Sequence, residues 1–468
     1  MGFATEPQND KNQHISTIYF MKLELLSPAG NIEKMKTALS FGATAVYAGI
    51  PDFSLRVRIN DFDFEKIKEA SEYCHSLGKK IYITTNIFAH NKHLEKIEDY
   101  ILKLKEINID AFIVSDPGIM ATIKKVWPEA EIHLSTQANC TNWQSAKFWY
   151  ESGVNRVVLG REVTLDEIKE IKEKVPELEL EYFAHGAMCM AYSGRCFLSK
   201  MYLDRSGNLG DCVQPCRWEY TAHNTQHITH NKDQASLDIQ ALRHDEVLEL
   251  HEEEHGSYIL NSKDLCLVEH LQELAEVGVT SFKIEGRAKS AYYQAMVTGI
   301  YAQALQGIEK EEKVDIEHLR DELETKLVHR GYTRGFLLGE KADQNLEVSH
   351  TSCQWEYCGQ ILKKTENRKQ TTENSPLFKG STPKGGGVQE RDKSAHNTVI
   401  VKVHNSIKLG DEVEIVRPMY DIIKMKVEKM YEPDTGEEIT EAHGGQERAV
   451  LLEVPEEVPE WSVLRRKI

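Results

Sequence analysis

The sequence predicts a (β/α)8 barrel of the TIM type, with a Cys-rich insertion after its seventh strand and a small antiparallel, barrel-like β domain behind it. Three observations predict this. Eight short apolar runs alternate with amphipathic stretches of 10 to 17 residues between positions 23 and 287, the pattern of parallel strand–helix–strand units. No G-x-G-x-x-G follows the first run, which weakens an open dinucleotide-binding sheet. From about residue 346 the texture changes to β-branched alternation broken by glycine and aspartate turns, as in small antiparallel barrels.

Taken in order, residues 1–20 read as a flexible leader, without the basic start or apolar core of a secretory signal. Met21 is an alternative start. The first seven strands are LELLSPAG, TAVYAG, KIYITTNI, DAFIVSD, EIHLSTQAN, RVVLGRE and LELEYFAHG. Helical patterns such as NIEKMKTALSFG, FEKIKEASEYCHSLG and HLEKIEDYILKLKEIN separate them, often closed by the glycine or asparagine that a left-handed cap requires. An insertion from Cys189 to about Gly278 precedes the eighth strand, SFKIEGR. SAYYQAMVTGIYAQAL then reads as a helix and HRGYTRGFLLG as a packed connector, which completes a barrel domain over 21–345. WEYCGQIL, NTVIVKVHNSIKLGDEVEIV and ERAVLLEV form the β domain over 346–468. Its segment 361–396 is polar, Gly- and Lys-rich, and reads as a mobile loop.

Composition narrows the function classes. With 468 residues, 40% hydrophobic and 28% charged, the chain reads as a soluble protein of two or three domains. No run of 18 apolar residues exists, so no membrane span is expected. A net charge of −17 removes any general attraction to nucleic acid, so RNA contact requires a local basic face such as 361–396. Nine cysteines, an odd number without a secretory signal, argue against a disulfide framework and for a reducing cytoplasm.

In such a barrel the functional groups gather at the C-terminal strand ends. Those ends carry Ser27, Asn86, Asp116, Gln137, Arg161, Glu162, His185, Glu285 and Arg287. Asp116, before Pro117, suits a helix cap as well as a ligand. Cys189, Cys196, Cys212 and Cys216 follow strand seven with the spacing C-x6-C, fifteen residues, C-x3-C. Four thiolates suit tetrahedral zinc or an iron–sulfur cluster. The first spacing is wide for structural zinc, and C-x3-C-x2-C is absent because Glu219 stands where its last cysteine would be. Spacing alone leaves cluster, zinc and free thiols open; the position after strand seven places the set on the functional face. Cys266 is a possible substitute ligand, whereas Cys74, Cys140, Cys353 and Cys358 read as core or incidental thiols. His223, His227 and His230 read as a solvated loop. HEEEH at 251–255 matches the zincin pattern H-E-x-x-H, but Gly256 and SYIL follow at once and no apolar helical face surrounds it.

EYFAHGAMCMAYSGRCFLS resembles the signature of the collagenase-like peptidase family U32, and LELLSPAG, SLRVR, NSKDL, KIEGR and HRGYT resemble its other landmarks. The resemblance extends from Met21 through the β domain. CMAYSGRC joined to CVQPCRWEY is similar to the branch of that family that hydroxylates tRNA. It implies a prephenate-dependent conversion of the wobble uridine to 5-hydroxyuridine, with tRNA and prephenate as partners. It also implies a 4Fe-4S cluster on Cys189, Cys196, Cys212 and Cys216, and a peptidase label that is historical for much of the family. Cys266, HEEEH and the long basic loop depart from the pattern.

The residues suit that chemistry. Hydroxylating a pyrimidine carbon needs redox chemistry that side chains alone do not supply. Prephenate is a dicarboxylate, and bidentate arginines suit carboxylates, so Arg56, Arg58, Arg161 and Arg287 are its candidate partners, with Gln137. Tyr192 and Trp218 are candidates for stacking on the extruded base, and His185, Glu285 and Arg287 for catalysis. The alternatives are a metal- or cysteine-dependent peptidase, and a cluster-bearing scaffold that needs a partner subunit.

Overall fold

Alternation of apolar strand and amphipathic helix closes the N-terminal part of the chain on itself in the computed structural model. The residues described are 22–55, 61–189, 191, 196, 198–203, 205, 211–217, 220–223, 236–241, 247–251, 262–340, 343–344, 351, 353–364, 397–445 and 448–468. Arg56, Arg58, Tyr192, Trp218, His227, His230, the leader 1–20 and most of the loop 361–396 lie outside them. Two compact units divide the chain, Met1–Cys353 and Gln354–Ile468.

In the first unit, strands β1 (Glu24–Pro28), β2 (Ala45–Gly49), β3 (Lys80–Thr85), β4 (Ala111–Val114), β5 (Ile132–Leu134), β6 (Arg156–Val158) and β7 (Glu179–Ala187) pair in parallel in that order. After β8 (Tyr220–His223), β9 (Ser236–Ala241), β10 (Val247–His251) and β11 (Asp264–Cys266), strand β12 (Val279–Ile284) pairs in parallel with both β7 and β1. That closes the expected eight-stranded barrel. Strands β8, β9 and β10 form a separate antiparallel sheet.

Helices α1 (Ile32–Ser40), α2 (Phe64–Ser76), α3 (Asn91–Ile107), α4 (Pro117–Val126), α5 (Trp143–Glu151) and α6 (Leu165–Lys174) connect the first seven strands. Their starts are written in side chains: Asn31, Asp63, Asn142 and Thr164 each accept a hydrogen bond from the backbone N–H three residues on, satisfying a donor the first turn leaves open. Then come α7 (Leu198–Leu203), α8 (Leu271–Glu276), α9 (Ala291–Lys310) and α10 (Ile316–Lys326). Helix α9 packs against α1 and β1 and is apolar around most of its circumference because most of its residues are buried.

The barrel interior is unusual in its polarity, since such interiors are mostly filled by branched aliphatic side chains. Arg156 on β6 donates to Glu24 on β1, to Glu179 at 2.8 Å and to Glu181 on β7 at 3.3 Å. Lys283 on β12 donates to Glu181 at 2.6 Å. Ser281 donates to Glu24 at 2.9 Å, and Tyr82 on β3 to Glu24 at 2.6 Å. Glu181 is fully buried, with Arg156 5% and Lys283 4% exposed. Burial pushes the Glu181 carboxyl up, but Lys283 and Arg156 together outweigh it and hold the group below the usual carboxylate range. It stays an anion.

Strand β7 does not end with the barrel. Its last residues leave β12 and pair antiparallel with β11, Gly186 opposite Leu265 and Ala187 opposite Asp264; β13 (Tyr332–Thr333) continues that edge. Gly186 has φ 113°, and a Cβ there would stand 2.5 Å from the Glu285 carbonyl oxygen. Only glycine fits this parting of strands.

The second unit is a seven-stranded antiparallel curled sheet, ordered β18 (Asp421–Lys426), β17 (Glu412–Arg417), β22 (Val463–Lys467), β14 (Trp355–Lys364), β15 (Asn397–Val403), β21 (Ala449–Val454) and β19 (Met430–Tyr431). Strands β16 (Ser406–Lys408) and β20 (Glu441–His443) pair separately. The small β domain is thus as the sequence suggests, with one correction. Residues 361–364, read as the start of the loop, continue β14, because Ile361 is fully buried in the sheet core.

Removing one member of the barrel's ion network strands its partners in a low-dielectric interior. Glu181→Leu is expected to lower unfolding free energy by about 3–5 kcal/mol, read from urea unfolding at neutral pH. Glu181→Leu with Lys283→Met is expected to cost less than Glu181→Leu alone.

Candidate functional site

The C-terminal strand ends converge on a mouth lined by two aromatic rings and three cations. Tyr47 on β2 and Phe183 on β7 face inward. Lys283 lies 4.6 Å from the Tyr47 ring centre and 5.6 Å from that of Phe183. Arg161 stacks 3.7 Å above Phe183, and Arg287 stands 5.7 Å from Tyr47. Glu285, half-buried at the end of β12, brings a carboxylate within 3.4 Å of the Tyr47 hydroxyl, which donates to the Ile284 carbonyl at 2.9 Å.

Arg287, expected to act in catalysis or to hold substrate, is committed inside the protein. It is 7% exposed. Its guanidinium donates to Ser54 Oγ at 2.8 Å, Thr84 Oγ1 at 3.2 Å and the Leu55 carbonyl at 2.5 Å. Asn86 secures the same stretch: its Oδ1 accepts from the Leu55 N–H at 3.3 Å while its Nδ2 donates to Ser135 Oγ at 3.2 Å. Arg287 and Asn86 therefore anchor the segment that leads into residues 56–60. Gly49 makes room, since a Cβ there would meet Ser54 Oγ at 2.4 Å and Arg287 Nη1 at 2.9 Å.

His185 is 1% exposed and lies in a cage of tyrosines. Its ring centre is 5.9 Å from Tyr293, 5.4 Å from Tyr301 and 5.4 Å from Tyr332. Tyr301 Oη stands 3.2 Å from His185 Nδ1, donates to the Ala184 carbonyl at 2.9 Å, and accepts from the Leu267 N–H at 3.1 Å. Burial pushes the imidazole down to about 3, so it is neutral at physiological pH. With its contacts made to α9 and β13, His185 fixes the point where β7 leaves the barrel instead of facing the mouth. Cys266 lies in the same cage, 4% exposed, its sulfur 3.7 Å from Tyr301 Oη. Burial pushes that thiol up. Beside it, buried Asp264 accepts from Arg330.

The cysteine loop leaves directly from β7, its start held where Ser262 Oγ donates to the Met188 carbonyl at 2.8 Å. Cys189 and Cys212 are exposed, Cys196 and Cys216 half-buried. Burial raises the Cys196 thiol, the backbone hydrogen bond from Leu198 opposes this, and Cys189 and Cys212 raise it further. Ser199 Oγ accepts from the Val213 N–H at 2.9 Å and stands 3.5 Å from Cys212 Sγ; the Gln214 N–H donates to that sulfur at 3.4 Å. Arg205 and Asp211 pair at 2.6 Å across the loop. Among the described residues no three His, Cys, Asp or Glu stand in a metal-ligating array. The fit to a cluster rests on the donor chemistry, four exposed or half-buried thiols with the Gln214 N–H turned to the Cys212 sulfur, whereas Cys266 is enclosed.

Other expected residues take quieter roles. Asp116 caps α4, accepting from the Gly118 and Ile119 N–H groups at 2.8 and 3.0 Å. Ser27 shares a hydrogen bond with Thr298 of α9 at 3.0 Å. Gln137 is half-buried on the turn after β5. His251 closes β10, a strand, so HEEEH does not begin on the helix a zincin needs. Sequence reading missed the Glu181–Lys283–Arg156 floor. Charges at every second position of β7 and β12 were the available signal, since side chains two apart share a face.

Comparison with known proteins places these features. The family model for Peptidase family U32 matches residues 30–347, and that for the Peptidase family U32 C-terminal domain matches 385–465. The chain is similar to tRNA hydroxylation protein P of Haemophilus influenzae, 38% identical over 466 residues that cover 93% of this chain and 94% of that protein. The protein of the same name in Escherichia coli is 38% identical over 427 residues, covering 86% and 87%. The 23S rRNA 5-hydroxycytidine C2501 synthase of Escherichia coli is 35% identical over 335 residues, 70% of this chain and 47% of that protein. No described helix is long and apolar enough to cross a membrane.

The buried imidazole makes stability depend on pH. A free imidazole titrates near 6.5 and His185 near 3, so between these values the unfolded chain binds a proton that the folded chain does not. Stability falls as pH drops through that window. Urea midpoints measured at pH 7 and pH 5 are expected to fall less on acidification in His185→Gln than in the wild type.

Proposed function

The chain belongs to peptidase family U32, and on its near full-length likeness to tRNA hydroxylation proteins we propose that it is an RNA-modifying hydroxylase acting on tRNA. The finer reading is prephenate-dependent formation of 5-hydroxyuridine at the wobble position. The observation that carries the proposal is that likeness, over both units of the chain. The cysteine loop leaving the barrel mouth supports it.

In this reading Cys189, Cys196, Cys212 and Cys216 hold a 4Fe-4S cluster. The cluster supplies one-electron redox chemistry that amino-acid side chains lack. The chain's own residues do the rest. The His185–Tyr301 contact and the β7–β11 pairing fix the base of the cysteine loop. Arg287 and Asn86 hold the segment that leads into residues 56–60, and Arg56 and Arg58 are candidate partners of an anionic substrate. Tyr47, Phe183 and the Lys283–Glu181 pair form an aromatic floor beneath it. The chain's net charge of −17 confines tRNA contact to local basic surface.

The test is genetic and chemical. Mass spectrometry of tRNA nucleosides from a deletion strain is expected to show loss of 5-hydroxyuridine-derived nucleosides. Restoration is expected with the wild-type gene and not with Cys189→Ala or Cys212→Ala, whose anaerobically purified proteins lose iron. Unchanged nucleosides, in a strain with no second U32 gene, would count against the proposal. Full iron content in Cys216→Ala would remove that residue from the ligand set.

A further inference from the structure

Among the described residues the arginine side chains are almost all engaged. Arg156 meets three glutamates, Arg287 two hydroxyls and a carbonyl, and Arg330 Asp264. Arg205, Arg320, Arg334, Arg417, Arg448, Arg465 and Arg466 each pair with a carboxylate. Among these described side chains Arg161 is the exception. Among the described residues its guanidinium makes no ion pair or hydrogen bond; its contact is the Phe183 face at 3.7 Å. It is half-buried on the loop after β6, at the rim of the mouth. A second uncommitted donor stands on the adjoining loop after β5. Asn139 has a left-handed backbone, φ 54°, and its Nδ2 is buried with no partner among the described residues. The two loops are tied together, the Gly160 N–H donating to the Cys140 carbonyl at 3.3 Å and Thr136 Oγ1 to the Leu159 carbonyl at 3.3 Å.

A half-buried guanidinium without a counter-charge is costly unless an anion completes it. Stacking on Phe183 fixes its plane and leaves its N–H edge open. That edge matches the two oxygens of a carboxylate. A single fork, one amide and two aromatic rings below suit a small acid with an apolar body; a nucleic-acid backbone needs a row of surface cations.

We propose that Arg161, assisted by Asn139, is the docking site for one carboxylate of a small organic acid that binds at the barrel mouth. The proposal deepens the hydroxylase reading and rests on it for the choice of prephenate as the acid.

The test is titration calorimetry of prephenate into the full-length protein, with tRNA binding measured alongside. Arg161→Gln is expected to weaken prephenate binding roughly ten- to hundredfold and to leave tRNA affinity unchanged. Arg161→Lys, which keeps the charge and loses the fork, is expected to recover part of it, and covers the case in which the Gln variant fails to fold. Inorganic phosphate is expected to compete poorly. Equal prephenate binding by the wild type and both variants would overturn the proposal. So would lost tRNA affinity with intact prephenate binding, which would make Arg161 a phosphate contact, or no binding of prephenate by the wild type. None of these results changes the tRNA nucleosides of the deletion strain, so the site and the hydroxylase reading fail separately.

Discussion

Charge pairing across the barrel interior is the constraint from which the site is built. Arg156, Glu24, Glu181 and Lys283 join β6, β1, β7 and β12, the strands on either side of the closure. An aliphatic core would tolerate small slips of one strand past another. Buried charges do not, because a slip of one residue would turn a charge out of its partner's reach and into the helix layer. With these strands fixed in register, the groups above them stand at defined heights: Tyr47 and Phe183, then Arg161, Glu285 and Arg287.

The second constraint is the parting of β7 from the barrel. Gly186 permits it, β11 receives the freed end, and the tyrosine cage around His185 locks it. The cysteine loop therefore starts from a rigid point at the mouth. The same parting explains why two residues with reactive side chains, His185 and Cys266, are enclosed: they hold the junction. Division of labour among the arginines follows from burial. Arg287 is inside and supports a loop, whereas Arg161 is at the rim with its N–H edge open.

Much of this was legible in the sequence. The eight strands, the inserted cysteines and the β domain follow from apolar periodicity, glycine punctuation and spacing, which are local properties. Asp116 before Pro117 announced a cap as much as a ligand. What the sequence could not show depends on strands far apart in the chain. Nothing local marks His185 as facing α9, since that direction comes from the shifted register between Lys283 and Ile284 opposite β7. Arg161 and Arg287 look alike as arginines after a strand, and only their neighbours, Phe183 for one and Ser54 with Thr84 for the other, separate a free fork from a committed one. Cys266 stood as a substitute for one of the four loop cysteines, and its enclosure among tyrosines is not visible in the spacing.

The proposed account joins the likeness to hydroxylating relatives with what the fold shows: a barrel whose charged interior fixes a mouth, and a cysteine loop leaving that mouth. Its most direct measurement is reconstitution. Anaerobically purified, iron-loaded protein is incubated with prephenate and tRNA from the deletion strain, and the wobble nucleoside is weighed by mass spectrometry. The account predicts that the wobble uridine gains the mass of one oxygen atom with the wild type and not with Cys189→Ala. An unchanged uridine with fully iron-loaded protein, or the same gain with the Cys189→Ala protein, would contradict it.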